Sequence, residues 1–183
     1  MKEMSKVKIY EKNSVETIIT ERKLLAQLRF LKLILVKLCF RLIINMHYAF
    51  QDRESLYIDL DYLSGGDLRY QLTKRKKFFT EKESKFFLAS LILSLEYLHS
   101  NSVMHRDIKP ENLVFDEKGY LYLTDFGIAK IYNKDKSIID SSGTPGYMAP
   151  EVITNKNHDF TVDYFAIGIM GYEFMLGKVC ILV

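Results

Sequence analysis

The run His105-Arg106-Asp107-Ile108-Lys109-Pro110-Glu111-Asn112 sets a carboxylate, an amine and a carboxamide close together in one short stretch. It falls between a long apolar helical pattern and a short strand pattern, where a rigid polar loop can form. Asp125-Phe126-Gly127 begins thirteen residues after Asn112, and Gly143-Thr144-Pro145-Gly146-Tyr147-Met148-Ala149-Pro150-Glu151 comes next. These residue types suit phosphoryl transfer, which needs a carboxylate to orient a hydroxyl, oxygen ligands for Mg²⁺ and a cation for the moving phosphate charge. Asp107 answers the first need, Asn112 with Asp125 the second, and Lys109 the third. One amide and one carboxylate match the preference of Mg²⁺ for a few hard oxygens completed by phosphate and water. A lone Asp-Phe-Gly is any turn. Three such motifs in this order, each at a strand or loop boundary, are not a chance match.

The elements that must position these groups are visible in the periodicity. Asn13-Ser14-Val15-Glu16 reads as a helix N-cap with an acid at N3, followed by Ile18, Ile19, Leu24, Leu25 and Leu28 at helical spacing. Leu56–Leu60 reads as a strand broken by Ser64-Gly65-Gly66, and Thr80-Glu81-Lys82-Glu83 as a capping box that opens an apolar helix through Leu98. Short strands are expected at Leu113–Phe115 and Tyr120–Leu123 around a Lys118-Gly119 turn. A last helix should run from Thr161 to Leu176 and stop at Gly177. The class is α+β, with strands and a helix first and mostly helix after.

Composition narrows the rest. The chain has 183 residues, 48% hydrophobic, 27% charged and 13% aromatic, which is enough for one domain with a core. A formal charge of +3 is too small to argue for nucleic acid, and the basic run Lys74–Lys77 reads as a solvated loop. Cys39 and Cys180 form no metal-spaced pair, which points to a reducing, intracellular compartment, the cytoplasm first. Met1–Asn13 has no apolar core for a signal peptide. The apolar stretch Phe30–Ile44 is short of the ~20 residues a spanning helix needs, and Lys32, Lys37 and Arg41 interrupt it. No membrane span is expected, and nothing here speaks to oligomeric state.

Taken together, the motifs His105–Asn112, Asp125–Gly127 and Gly143–Glu151 resemble the signature set of the eukaryotic Ser/Thr protein kinase catalytic domain. The resemblance covers nearly the whole chain, and Gly65–Leu68, His105–Asn112, Gly143–Glu151 and Val162–Gly168 are most similar to the AGC branch and its YANK-like relatives. It implies a bilobal protein-kinase-like fold with an incomplete N-lobe, a partial sheet plus one αC-like helix, and a mainly helical partial C-lobe. Residues 1–183 would form one partial kinase domain, with 1–62 as N-lobe and 63–183 as hinge and C-lobe. It also implies ATP and Mg²⁺ as cofactors and a protein substrate with a Ser or Thr acceptor. Lys109, two residues after Asp107, marks the Ser/Thr class, and Thr144 resembles the threonine that bonds both loop residues. Asp163 matches the aspartate that anchors the catalytic-loop backbone.

For nucleotide binding, Lys2 resembles the strand lysine that holds the α and β phosphates, and Glu21, nineteen residues on, its helix partner. Lys2 could instead be an ordinary terminal lysine. The backbone of Asp61 and Leu63 would meet adenine at the hinge, with Leu60 as gatekeeper, Val114 beneath the ring and Asp67 toward the ribose. Asp59 stands at a usually apolar strand position, so it should be exposed or partnered. For regulation, Arg106 could receive an activation-loop phosphate, yet the family's phosphorylated position is Asp140, flanked by Ser141 and Ser142. Either Asp140 supplies a permanent charge, the preferred reading, or a neighbouring serine is modified.

Three departures from the family are visible. No glycine-rich loop precedes Lys2, so the Lys2–Glu21 pair is expected to be loose. The excess near 31–42 makes the link from helix to strand about ten residues longer than the family pattern, and the Phe30–Ile44 segment is expected not to be a settled part of the fold. The family also continues past Val183. The alternative to a working enzyme is therefore a catalytically silent fragment that acts only as a binding module, or a mis-spliced product.

Overall fold

A computed structural model describes residues 1–34, 42–75 and 78–179, the side chains of 29–34 excepted. The chain opens with strand β1 (Lys2–Ser5), a short helix α1 (Lys6–Glu11) and the long helix α2 (Val15–Ile34). Strands β2 (Met46–Gln51) and β3 (Ser55–Leu60) follow, and the three strands form an antiparallel sheet in the order β1-β3-β2. Lys2 pairs with Ile58 and Met46 with Leu60, with a register shift between Met46 and Tyr48. The sheet therefore centres on β3, which leads straight into Asp61–Leu63.

The remainder is mainly helical: α3 (Leu68–Lys74), α4 (Glu81–Ser100), α5 (Pro150–Ile153) and α6 (Thr161–Leu176). Between α4 and α5 lie two small antiparallel pairs, β4 (Val103–Met104) with β7 (Lys130–Ile131), and β5 (Leu113–Phe115) with β6 (Leu121–Leu123). α4 starts where its capping box predicts. The Thr80 hydroxyl accepts from Glu83 N, and the Glu83 carboxylate accepts from Thr80 N at 2.9 Å, so two orphan amides of the first turn are satisfied together. α6 stops at Gly177, whose φ of +69° is the left-handed cap that glycine favours.

One apolar core runs through both parts. It joins Leu24, Leu25 and Leu28 of α2 and Ile58 of β3 to Leu91, Leu95 and Leu98 of α4 and Met170 and Phe174 of α6. The Tyr97 hydroxyl of α4 also donates to the Leu28 carbonyl of α2 at 3.1 Å. Leu24 and Leu28 on α2, and Leu91, Leu95 and Leu98 on α4, recur at three- and four-residue steps, so each helix turns a buried apolar stripe to this core.

Several expectations are revised. α1, β2 and the β4–β7 pair carry no clear sequence signal, and the second short strand begins at Leu121 rather than Tyr120. Lys74 is the last residue of α3 rather than part of a loop, while Arg75, its C-cap, leaves the helix, pairs with Glu83 and lies over the Phe79 ring; both are exposed, and 76–77 lie outside the described residues. Of the Phe30–Ile44 segment, 30–34 continue α2, Ile43 bridges to Leu123, and Ile44 N donates to the Leu123 carbonyl. Residues 35–41 and both cysteines lie outside the described residues. Asp59 is half-exposed, which relieves the burial cost that its position raised.

The link from sheet to helices is tight. A Cβ on Gly65 would lie 2.5 Å from the Phe115 Cβ and 2.9 Å from the carbonyl oxygens of Phe115 and Asp116. Gly65→Ala should therefore lower the unfolding free energy by about 1–3 kcal/mol, because β5 must shift to admit the methyl group. Urea unfolding checks it, and an unchanged midpoint would show that the close approach is not a constraint.

Candidate active site

Asp163, at the first turn of α6, is fully buried, and its two oxygens accept from His105 N at 3.0 Å and Arg106 N at 2.7 Å. His99 of α4 adds a contact at 2.8 Å. The helix thus fixes the loop backbone just before Asp107, and Arg106 can hold a φ of +69° there because both neighbouring amides are pinned. His105 is fully buried, and burial holds its pKa below the usual histidine value, so its ring is neutral. In that state Nε2 donates to the Thr124 carbonyl at 3.0 Å and Nδ1 accepts from Asp107 N at 3.3 Å. One ring ties Asp107 to the residue before Asp125.

The Asp107 carboxylate is held from three directions. Lys109 Nζ donates to one oxygen at 2.7 Å, the Thr144 hydroxyl to the other at 2.6 Å, and Asn112 Nδ2 approaches at 3.1 Å. Lys109 also donates to Thr144 Oγ1 at 2.7 Å, which closes a triangle. Burial alone would raise the Asp107 pKa, but Lys109, Thr144 and Asn112 together hold it below the usual carboxylate range. Asp107 is a carboxylate at neutral pH.

Asn112 is positioned by backbone as well. Its carbonyl accepts from Thr124 N at 2.9 Å and from the Thr124 hydroxyl at 3.0 Å, through the β5–β6 register that pairs Leu113 with Leu123. Its Nδ2 is spent on the Asp107 carbonyl and carboxylate, which leaves Oδ1 without an intramolecular partner among the described residues. Asp125 is exposed, with φ at +59°, and accepts from Gly127 N at 3.1 Å. An amide oxygen and an exposed carboxylate on adjoining strand ends fit a hard divalent cation that takes phosphate and water as its other ligands. Among the described residues no group of three or more His, Cys, Asp or Glu could hold a metal alone.

On the sheet side, Lys2 Nζ lies 2.7 and 3.0 Å from the two oxygens of Glu21, which is buried on α2. The expected looseness of this pair is not what the structure shows. A lysine on the β1 edge meets a carboxylate already desolvated by α2, and such a contact is stronger than one in water. Val114 alternates with buried Leu113 and Phe115 on β5 and so faces the other way. Asp67 caps α3, accepting from Tyr70 N at 2.7 Å. The Asp61 carboxylate is taken up by Asn45 and by His47 at 2.8 Å, while the Asp61 carbonyl and Leu63 N have no intramolecular partner among the described residues.

Arg106 reaches toward the loop after Asp125. Its Nη1 donates to Asp140 at 2.6 Å, its Nε and Nη2 donate to the Ile128 carbonyl, and Lys130 pairs with the same Asp140 carboxylate. Ser141 is exposed. Sequence reasoning missed Lys130 in this cluster, and it missed the four-residue contact of Arg69, Glu111, Tyr147 and Glu173, since no local motif relates these positions.

Residues 1–182 match the family profile described as the protein kinase domain. The chain is 40% identical over 178 residues to the serine/threonine-protein kinase sgk-1 of Caenorhabditis elegans, covering 97% of this chain and 36% of that protein. It is 38% identical over 178 residues to the serine/threonine-protein kinase AtPK2/AtPK19 of Arabidopsis thaliana, with the same coverage of 97% and 36%. To the human ribosomal protein S6 kinase alpha-3 it is 43% identical over 145 residues, 79% of this chain and 20% of that protein. The chain thus spans only about a fifth to a third of the length of the curated relatives it matches. Among the described residues no helix is long and apolar enough to cross a membrane.

The Arg106–Asp140 contact yields a pH prediction. Burial alone would raise the Asp140 pKa, but Lys130, Arg106 and Ser142 hold it far below the usual carboxylate value. A depressed pKa contributes stability that is present above the unfolded-state value of about 4 and is lost as pH falls through the folded value. Asp140→Asn should therefore cost about 1–3 kcal/mol, by the same amount from about pH 5 to about pH 8, and the gap should close only in strong acid. Denaturant unfolding of both proteins across that range checks it. A gap that shrinks between about pH 8 and pH 6 would contradict the assignment.

Proposed function

The chain belongs to the protein kinase domain family, and from that premise we propose that it transfers the γ-phosphoryl group of ATP to serine or threonine hydroxyls of a protein substrate. The observation that carries this reading is the Asp107 carboxylate, kept ionised and aimed by Lys109, Thr144 and Asn112. An ionised carboxylate on a pinned loop can accept the hydrogen bond of an incoming hydroxyl, orient its oxygen and take its proton as the new P–O bond forms. Lys109 sits beside that oxygen's path and offsets the charge that develops on the transferred group. ADP leaves with the electron pair of the broken bond. Thr144 and Lys109 together are the pairing that favours Ser/Thr over Tyr acceptors.

Asn112 through Oδ1 and Asp125 through its carboxylate are the residues that would hold Mg²⁺. The ion, when bound with ATP, supplies positive charge that neutralises the phosphate oxygens. Lys2, steadied by Glu21, would hold the α and β phosphates. The Asp61 carbonyl and Leu63 N would bond adenine, Val114 would support the ring, and Asp67 would keep one oxygen for the ribose. Asp140 in the Arg106–Lys130 pocket supports the reading in which a permanent charge orders the loop, rather than one in which Ser141 or Ser142 must first be phosphorylated. Reducing intracellular surroundings, in the cytoplasm, suit this chemistry and the ATP it consumes.

Two variants separate the roles. Asp107→Asn should lower phosphotransfer at least a thousandfold, the order of ~4 kcal/mol of transition-state stabilisation, and leave ATP affinity nearly unchanged. Asp125→Ala should also weaken Mg²⁺-dependent ATP binding, because it removes a metal ligand. Calorimetric titration with ATP and Mg²⁺ alongside a labelled-ATP assay reads both. Equal loss of ATP affinity in the two variants would show that the roles are wrongly assigned.

A further inference from the structure

Arg69, in the first turn of α3, is bound by residues from three other parts of the chain. Its Nε donates to Glu111 at 2.8 Å, Nη1 donates to Glu173 of α6, and Nη2 donates to the Tyr147 hydroxyl at 2.5 Å and to Glu173 at 3.4 Å. The Tyr147 hydroxyl in turn donates to Glu173 at 2.5 Å. Glu173 has only 5% of its side chain exposed, whereas Arg69 has 28% and Glu111 43%. The cluster is thus rooted in the core and open at its outer edge.

Its place in the fold borders the reacting centre. Glu111 lies four residues after Asp107 and directly before Asn112, and Tyr147 lies three after Thr144, which donates to Asp107. Two carboxylates with a phenolic oxygen between them match the planar fork of a guanidinium, and no other common side chain satisfies all three at once. Here that fork comes from the chain itself. With Arg69 in place, Arg69, Glu111 and Glu173 sum to one negative charge; without it the two carboxylates stand as two, one of them buried with no cation beside it.

We propose that Arg69 is a specificity-determining residue: a built-in guanidinium that fills a cation subsite beside the catalytic loop, so that the protein gains nothing from an arginine at that place in its substrate. This deepens the phosphotransfer reading and rests on it. The subsite chemistry, two carboxylates and a hydroxyl, would receive an arginine side chain of the substrate if it were vacant. The occupied subsite offers a substrate one net negative charge instead of two, and no open place for a second guanidinium fork. Substrates are then chosen by contacts elsewhere, and basic residues opposite this cluster bring no advantage.

The test walks a single arginine through the five positions on each side of the acceptor serine in an otherwise neutral peptide, with wild type and Arg69→Ala compared. Wild type should show no arginine advantage in kcat/KM at the register where the variant gains one. Arg69→Ala should gain about tenfold or more at one register, the order expected of a charge-assisted contact to a desolvated carboxylate. A wild-type arginine preference already present at the register where the variant gains, or no gain at any register in a variant that still turns over, overturns the proposal. A second measurement keeps the question separate from activity. Low-millimolar methylguanidinium should raise the Tm of Arg69→Ala and leave that of wild type unmoved. If neither protein phosphorylates any peptide, the phosphotransfer reading fails, and the Tm comparison alone decides whether the subsite is a guanidinium site. Should Arg69→Ala not fold, Arg69→Gln, which leaves Glu173 a polar neighbour, carries both measurements with the same expected outcomes.

Discussion

A buried carboxylate governs how much of this fold can do chemistry. Asp163 accepts two backbone amides of the loop and meets His99, so an ionisable group with no exposure is fully partnered. Removing it would leave those amides without partners inside the protein, at a cost of about 1–3 kcal/mol for each buried donor. The arrangement is strict in another way. With residues 105 and 106 fixed to α6, the chain direction into Asp107 is fixed as well, and the positive φ of Arg106 is held rather than sampled. α6 in turn is held by α4 through the apolar core. The geometry of this loop is a consequence of helix packing.

From that anchor the charges fall into three groups, each with one buried or half-buried acid and its cations. Asp107 has Lys109, Glu21 has Lys2, and Asp140 has Arg106 and Lys130. Lys2 and Glu21 lie 19 residues apart and Arg106 and Asp140 34 apart, so those two pairs also report that separate segments are docked, whereas Lys109 stands in the same loop as Asp107. Such pairs add little net stability when exposed, but a partner removed from a desolvated one is costly. The same rule explains why the Arg69 cluster matters. Glu173 inside α6 would be an uncompensated charge in the core without a guanidinium, and the chain supplies one from α3.

The site was more legible than the fold. Asp107, Lys109, Asn112, Asp125 and Thr144 lie in short local motifs, and the capping box at Thr80 marks the start of α4 and the glycine stop at Gly177 the end of α6. The short strands were harder, since β4 and β7 have two residues each and no period to read. α1 was hidden because its six residues bury only Ile9. The Lys2–Glu21 pair was legible as a spacing, but its tightness was not: that depends on β1 pairing with β3, a long-range contact. Arg69 lies in no local motif and carries no sequence signal of its own. Its partners lie 42, 78 and 104 residues away, and only the packed structure brings them together.

Phosphoamino-acid analysis tests the central claim most directly. The protein is incubated with γ-labelled ATP, Mg²⁺ and a mixed protein acceptor, and the labelled product is hydrolysed and resolved. The account predicts label on serine and threonine, none on tyrosine, and none at all once Mg²⁺ is chelated. Label on tyrosine, or label that persists without a divalent cation, would contradict it.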